Sequence, residues 1–121
     1  MFFFNKRESV DRAPKYLYSF EPVGYTYKCK IGKIPRQDSI DKSRKGDPVT
    51  LTVYQYKGQN AYAVVNDRTG CDIGVVPADL IRILEKKNKV SIDGLHGKIT
   101  DIFKTDDEIS YLKQCTVEIY K

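Results

Sequence analysis

Residues 36–80 read RQDSIDKSRKGDPVTLTVYQYKGQNAYAVVNDRTGCDIGVVPADL, and this pattern decides the fold. Val49, Leu51 and Val53 alternate with Thr50, Thr52, Tyr54 and Tyr56. A strand over 49–56 therefore turns an apolar face inward and a Thr/Tyr face outward. Gly46-Asp47-Pro48 leads into it, Lys57-Gly58-Gln59 turns it into a second strand over 61–66, and Asn66-Asp67-Arg68-Thr69-Gly70 leads to a third over 73–76. Pro77 suits the first position of a helix, where its missing N–H has no helical partner. Leu80, Ile81, Ile83 and Leu84 form that helix's apolar stripe, Lys86 and Lys87 complement its dipole, and Asn88 caps its end.

Before this stretch, the pattern predicts a short helix over 37–44 anchored by Ile40. Residues 23–31 alternate, with Val23, Tyr25, Tyr27, Cys29 and Ile31 on one face and Thr26, Lys28 and Lys30 on the other. Residues 32–35 read as a turn. Residues 1–20 read as an arm that docks through Tyr16-Leu17-Tyr18-Ser19-Phe20, and residues 21–121 as one domain. After the main helix, residues 90–102 predict a strand interrupted at Gly94-Leu95-His96-Gly97, 104–108 a polar turn, and 109–119 a last strand. There is no internal repeat. Five to six strands with one main and one short helix predict a mainly β (α+β) fold, a small and strongly bent OB-like β-barrel.

The chain has 121 residues, enough for one continuous core, and 40% hydrophobic content excludes global disorder. No apolar run is long enough to span a membrane. Met1-Phe2-Phe3-Phe4 is too short for a signal peptide and precedes its basic residues, so a cytoplasmic protein is expected. Cys29, Cys71 and Cys115 are odd in number and widely spaced, which predicts reduced, core-packed thiols. His96 is the sole histidine, and no cofactor or metal site is expected.

The net charge of +5 is unevenly divided: 12 Lys and Arg stand against 6 Asp and Glu in residues 1–60, and 9 against 10 in residues 61–121. Lys28, Lys30, Lys33, Arg36, Lys42, Arg44 and Lys45 meet only Asp38 and Asp41 in their stretch, a density suited to phosphate.

Several short pieces occur in order over residues 22–84: Val23-Gly24-Tyr25, then Arg36-Gln37 through Ile40 to Lys45-Gly46-Asp47-Pro48-Val49, then Asn60-Ala61 with Ala63-Val64-Val65, then Ile73-Gly74-Val75-Val76-Pro77 with Leu80. In this the chain resembles the HIRAN domain family, small modules of DNA-remodelling translocases and standalone bacterial proteins. The resemblance implies an OB-like barrel that binds single-stranded DNA without catalysis, and whose characterised eukaryotic members capture a 3′-hydroxyl end. Where end-capturing members carry Asn-Pro-Tyr-Asp, this chain has Gln55-Tyr56-Lys57-Gly58. Lysine attracts phosphate anywhere along a strand and glycine has no group with which to select a hydroxyl, so no requirement for a free 3′-hydroxyl is expected.

Two functions follow as expectations. In the first, Lys28, Lys30 and Arg36 form one positive surface, Tyr54 and Tyr56 stack on bases, and Lys57 and Asn60 lie beside the path of a single-stranded nucleic acid. In the second, the outward tyrosines and the arm contact a protein partner, with no nucleic-acid role. No nucleophile–base pair, clustered acid pair or Gly-rich phosphate loop suggests an enzyme.

Overall fold

The computed structural model describes residues 15–24, 26–29, 32–104 and 113–121, with the main chain alone for 26–29 and 32–35. In chain order the elements are strands β1 (Tyr16–Phe20), β2 (Thr26–Cys29) and β3 (Gly32–Pro35), helix α1 (Arg36–Lys42), strands β4 (Pro48–Tyr56), β5 (Gln59–Asn66) and β6 (Cys71–Val75), helix α2 (Ala78–Arg82) continuing into a π-helical turn (Ile83–Lys87), and strands β7 (His96–Lys104) and β8 (Lys113–Tyr120). Six strands form one antiparallel sheet in the order β1-β8-β7-β4-β5-β6, and β2 pairs with β3. Among the described residues no helix is long and apolar enough to cross a membrane.

The β4–β5 hairpin follows from its sequence. Lys57 and Gly58 have φ of +51° and +78°, the left-handed pair that a two-residue hairpin turn requires. The register then runs unbroken from Val49↔Asn66 to Tyr56↔Gln59. Val49 and Leu51 are fully buried, while Val53, nearer the tip, is partly buried. They share the core with Ile40, Val64, Ile73, Leu84, Ile99, Val117 and Ile119.

Strand pairing leaves the sheet open, with β1 and β6 at its edges. Helix α1 bridges β6 to β8 by side chains rather than by main-chain pairing. Arg36 Nε donates to Ile73 O at 3.0 Å and its Nη2 donates to Pro22 O at 2.5 Å and to Gln114 Oε1. Ser39 Oγ donates to Asp72 O at 2.5 Å, and Gln37 exchanges hydrogen bonds with the main chain of Lys113 at 3.0 and 2.6 Å. The helix thus satisfies strand groups that a further strand would otherwise pair.

A buried polar cluster fixes the entry to β4. Asp47 accepts a bidentate pair from Arg68 Nε and Nη2, both at 2.9 Å, and further bonds from Asn66 Nδ2 at 2.9 Å and Arg44 N at 2.8 Å. Asn66 Oδ1 accepts from Arg68 N and Thr69 N, which shapes the turn into β6. The Arg68 hydrogen bond is the largest influence holding the Asp47 carboxyl down, at about 2, against the opposing effect of burial.

Several expectations are corrected. Residues 32–35 are a strand, not a turn. Val23 leaves the alternation of 23–31 and is exposed, bridging Val75 instead; Gly24, with φ +127°, turns the chain there. Ile83 is exposed because the chain widens into the π turn at that residue, while Leu80 and Leu84 remain buried. The strand expected over 90–102 begins only at His96, and the preceding loop caps the β4 edge through Leu95 O, Asp93 Oδ1 and Gly94 N. Cys71 is disulfide-bonded, against the expectation of reduced thiols, and Cys115 is free and buried. The expected turn at 104–108 and the start of the last strand fall largely on residues 105–112, outside the described residues.

Candidate functional site

The tip of the β4–β5 hairpin, the end of β6, the outer face of α2 and the Val23-Gly24 segment line an open groove of about 1150 Å³. Tyr54 and Tyr56 lie two residues apart on β4 and so share a face. They are 38% and 57% exposed. Their cross-strand partners are Ala61 and Gln59, and Gly58 and Ala78 also line the groove, so small residues leave room beside the rings. The facing wall comes from Ala78, Ile81, Arg82 and Glu85, spaced as one face of a helix.

The hairpin turn carries Lys57 beside this wall of rings. Its Nζ lies 5.3 Å from the centroid of the Tyr56 ring, within cation–π range. Across the groove, the Arg82 guanidinium donates to the Asp79 carboxylate, both side chains being largely exposed. Partial burial pushes the Tyr54 phenol above its ordinary value, with the charges of Asp72 and Tyr56 adding to the rise. Tyr54 therefore keeps its proton at neutral pH and offers an O–H donor to the groove.

Of the residues expected at a site, the structure places Tyr54, Tyr56 and Asn60 along the groove and Lys57 Nζ over the Tyr56 ring. It separates Arg36 from them. Asn60 borders the groove, but it pairs with Gln55, on the face opposite the two tyrosines, where its Oδ1 accepts from Gln55 Nε2. Its side chain thus braces the hairpin at the border of the groove. Arg36 is only 8% exposed, with its guanidinium spent on carbonyl and amide acceptors, which corrects its placement on a positive surface. Lys28 is described by its main chain in β2, and Lys30 lies outside the described residues.

Sequence reasoning missed Arg82, Glu85, Val23 and Val75. The usable signal was the spacing of Ala78, Ile81, Arg82 and Glu85 after Pro77, which marks a second helix face beside the core stripe. Among the described residues no three His, Cys, Asp or Glu side chains gather to hold a metal ion.

Comparison of the chain with protein-family models, curated proteins and solved structures found no match.

Proposed function

We propose that this protein binds single-stranded nucleic acid, single-stranded DNA foremost, in the groove between the β4–β5 tip and α2, and performs no chemistry on it. The observation that carries the reading is the grouping of Tyr54 and Tyr56, exposed on one strand face, with Lys57 Nζ over the Tyr56 ring and Arg82 on the facing wall of the groove. Aromatic faces stack on any base, and adjacent cations attract the backbone. The HIRAN resemblance, carried by the pieces in order over residues 22–84, supports single-strand binding, although Gln55-Tyr56-Lys57-Gly58 replaces the residues with which end-capturing members hold a strand end. In this view the curled sheet, with α1 filling its gap, is an OB-like barrel.

The test is fluorescence anisotropy with labelled single-stranded oligonucleotides at two salt concentrations. Tyr54→Ala and Tyr56→Ala each weaken binding by about 1–3 kcal/mol per stacked base while melting is little changed. Affinity falls steeply with salt. Absence of binding, or binding indifferent to both tyrosines, overturns the proposal. Glu85, Ile81 and Val23 in the same lining favour a second reading, a protein partner; binding of that kind shows a weak salt dependence.

A further inference from the structure

The groove holds one charge that stacking does not use. Of the residues that line it, Glu85 is the only acid. It is exposed and stands with Ala78, Ile81 and Arg82 on the α2 wall that faces the tyrosines. The fold fixes it there. Glu85 lies inside the π-helical turn Ile83–Lys87, where its neighbour Leu84 is fully buried, and adjacent helical positions do not share a face, so Leu84 in the core holds Glu85 out of it.

Nothing on its own wall cancels this charge. The Arg82 guanidinium donates to the Asp79 carboxylate, and among the described residues no hydrogen bond or ion pair reaches Glu85. Lys86, Lys87 and Lys89 follow it in the chain but do not line the groove. The cation on the tyrosine side is Lys57, with its Nζ 5.3 Å from the Tyr56 centroid. Phosphate is attracted to Lys57 and repelled by Glu85. A single strand between them therefore settles with its backbone toward the hairpin tip and its base edges toward α2.

The chemistry of Glu85 then sorts those edges. A carboxylate accepts hydrogen bonds and donates none. Cytosine offers it the N4 amino group, and adenine and guanine each offer an amino group, whereas thymine and uracil hold a carbonyl oxygen where cytosine has its amine, and two acceptors repel. The other polar groups of the lining make no such distinction. The Tyr54 and Tyr56 hydroxyls both donate and accept, and Gln59 and Asn60 each carry an oxygen and an NH₂.

We infer that Glu85 makes the groove select bases that bear an exocyclic amino group, cytosine foremost, over thymine and uracil. This rests on the single-strand reading above. Labelled oligodeoxycytidylate and oligothymidylate of about eight nucleotides, within the span of one OB fold, are compared by anisotropy on the full chain at one salt concentration and neutral pH. Wild type binds the cytidylate about tenfold more tightly, as one base-specific contact provides. A third probe built from N4,N4-dimethylcytosine keeps the ring but has no N–H to donate, and wild type binds it within about twofold of thymidylate. Glu85→Gln, whose amide both donates and accepts, brings cytidylate and thymidylate within about twofold of each other and binds thymidylate more tightly than wild type does. A gain of that kind cannot come from misfolding, and the dimethylated probe needs no variant at all. If wild type binds cytidylate and thymidylate alike, or if its preference survives dimethylation or Glu85→Gln, the inference falls; the groove reading still stands where Tyr54→Ala/Tyr56→Ala weakens both probes. If wild type binds none of the probes, both fall.

Discussion

Asp47→Asn isolates the polar cluster on which the β4–β5 hairpin rests. Both carboxylate oxygens face donors: Oδ1 takes Arg68 Nε, and Oδ2 takes Arg68 Nη2, Asn66 Nδ2 and Arg44 N. An amide of the same shape turns an NH₂ against some of them and removes the charge that Arg68 pairs with. The carboxyl is held at about 2 from an ordinary 3.8, and about 1.4 kcal/mol accompanies each tenfold change in proton affinity. The ionised form is thus worth about 2 kcal/mol to the fold at neutral pH. Arg68, 39% exposed in its side chain, recovers some hydration when its partner is lost, which keeps the cost near that figure and below that of a fully buried pair.

The sign of the pH effect follows from the depressed value. The contribution is complete above the unfolded-state value near 3.8 and disappears as pH falls through the folded-state value near 2. Urea denaturation of wild type and Asp47→Asn therefore differs by about 2 kcal/mol at pH 7 and by roughly half that at pH 3. At neutral pH the melting temperature of the variant is lower by about 6–12 °C. A gap under about 0.5 kcal/mol at pH 7, or one that does not narrow between pH 7 and pH 3, refutes the assignment of this carboxylate as the charged anchor of the turn.

Arg36→Met removes a guanidinium whose acceptors lie on β6, β8 and the Pro22 carbonyl; it lowers unfolding stability by about 3 kcal/mol, and the salt slope of oligonucleotide binding is unchanged, since this charge does not face solvent. Gly74 and Gly58 separate crowding from backbone preference: a Cβ on Gly74 (φ +147°) meets Pro22 Cβ at 2.3 Å, whereas one on Gly58 (φ +78°) meets nothing within 4 Å. Gly74→Ala accordingly costs 2 kcal/mol or more by urea denaturation and Gly58→Ala about 1. Oligonucleotides ending in a 3′-hydroxyl or a 3′-phosphate bind within about twofold of one another, because Lys57 and Gly58 select neither; strong preference for the hydroxyl in the same anisotropy assay contradicts this.

What the sequence disclosed follows the range over which each interaction acts. The β4–β5 hairpin was legible because its two decisive signals are local: alternation fixes which face holds Tyr54 and Tyr56, and a Lys-Gly pair accepts the left-handed turn. Asn60 carried the same local information, for alternation from Ala61 already sets it opposite the tyrosines. Arg36 could not be read this way. A cation at the start of a short polar helix has the pattern of a surface residue, and its burial depends on the Ile73 carbonyl and the Gln114 side chain, 37 and 78 positions away. Composition counts that charge toward a basic surface, and only the packing of α1 across the sheet's open side takes it away.

The groove shows the same division between local and distant information. Its tyrosine wall is encoded within one strand, but its other wall exists because α2 follows β6 directly and because Val23 exchanges main-chain hydrogen bonds with Val75 at 3.1 and 2.8 Å. The glycine at position 24 permits that exchange by breaking the first alternating run. A residue that looks like a flaw in a strand thereby brings an exposed valine to the rim of the candidate site. The row of paired residues that crosses the sheet from Thr50 to Tyr16 is more distant still, joining four strands whose pairing no short window contains. Its parts lie far apart in the chain, at Tyr16, Thr50, His96 and Tyr120. Their alignment arises from sheet register, and register is specified by which alternate residues the core demands.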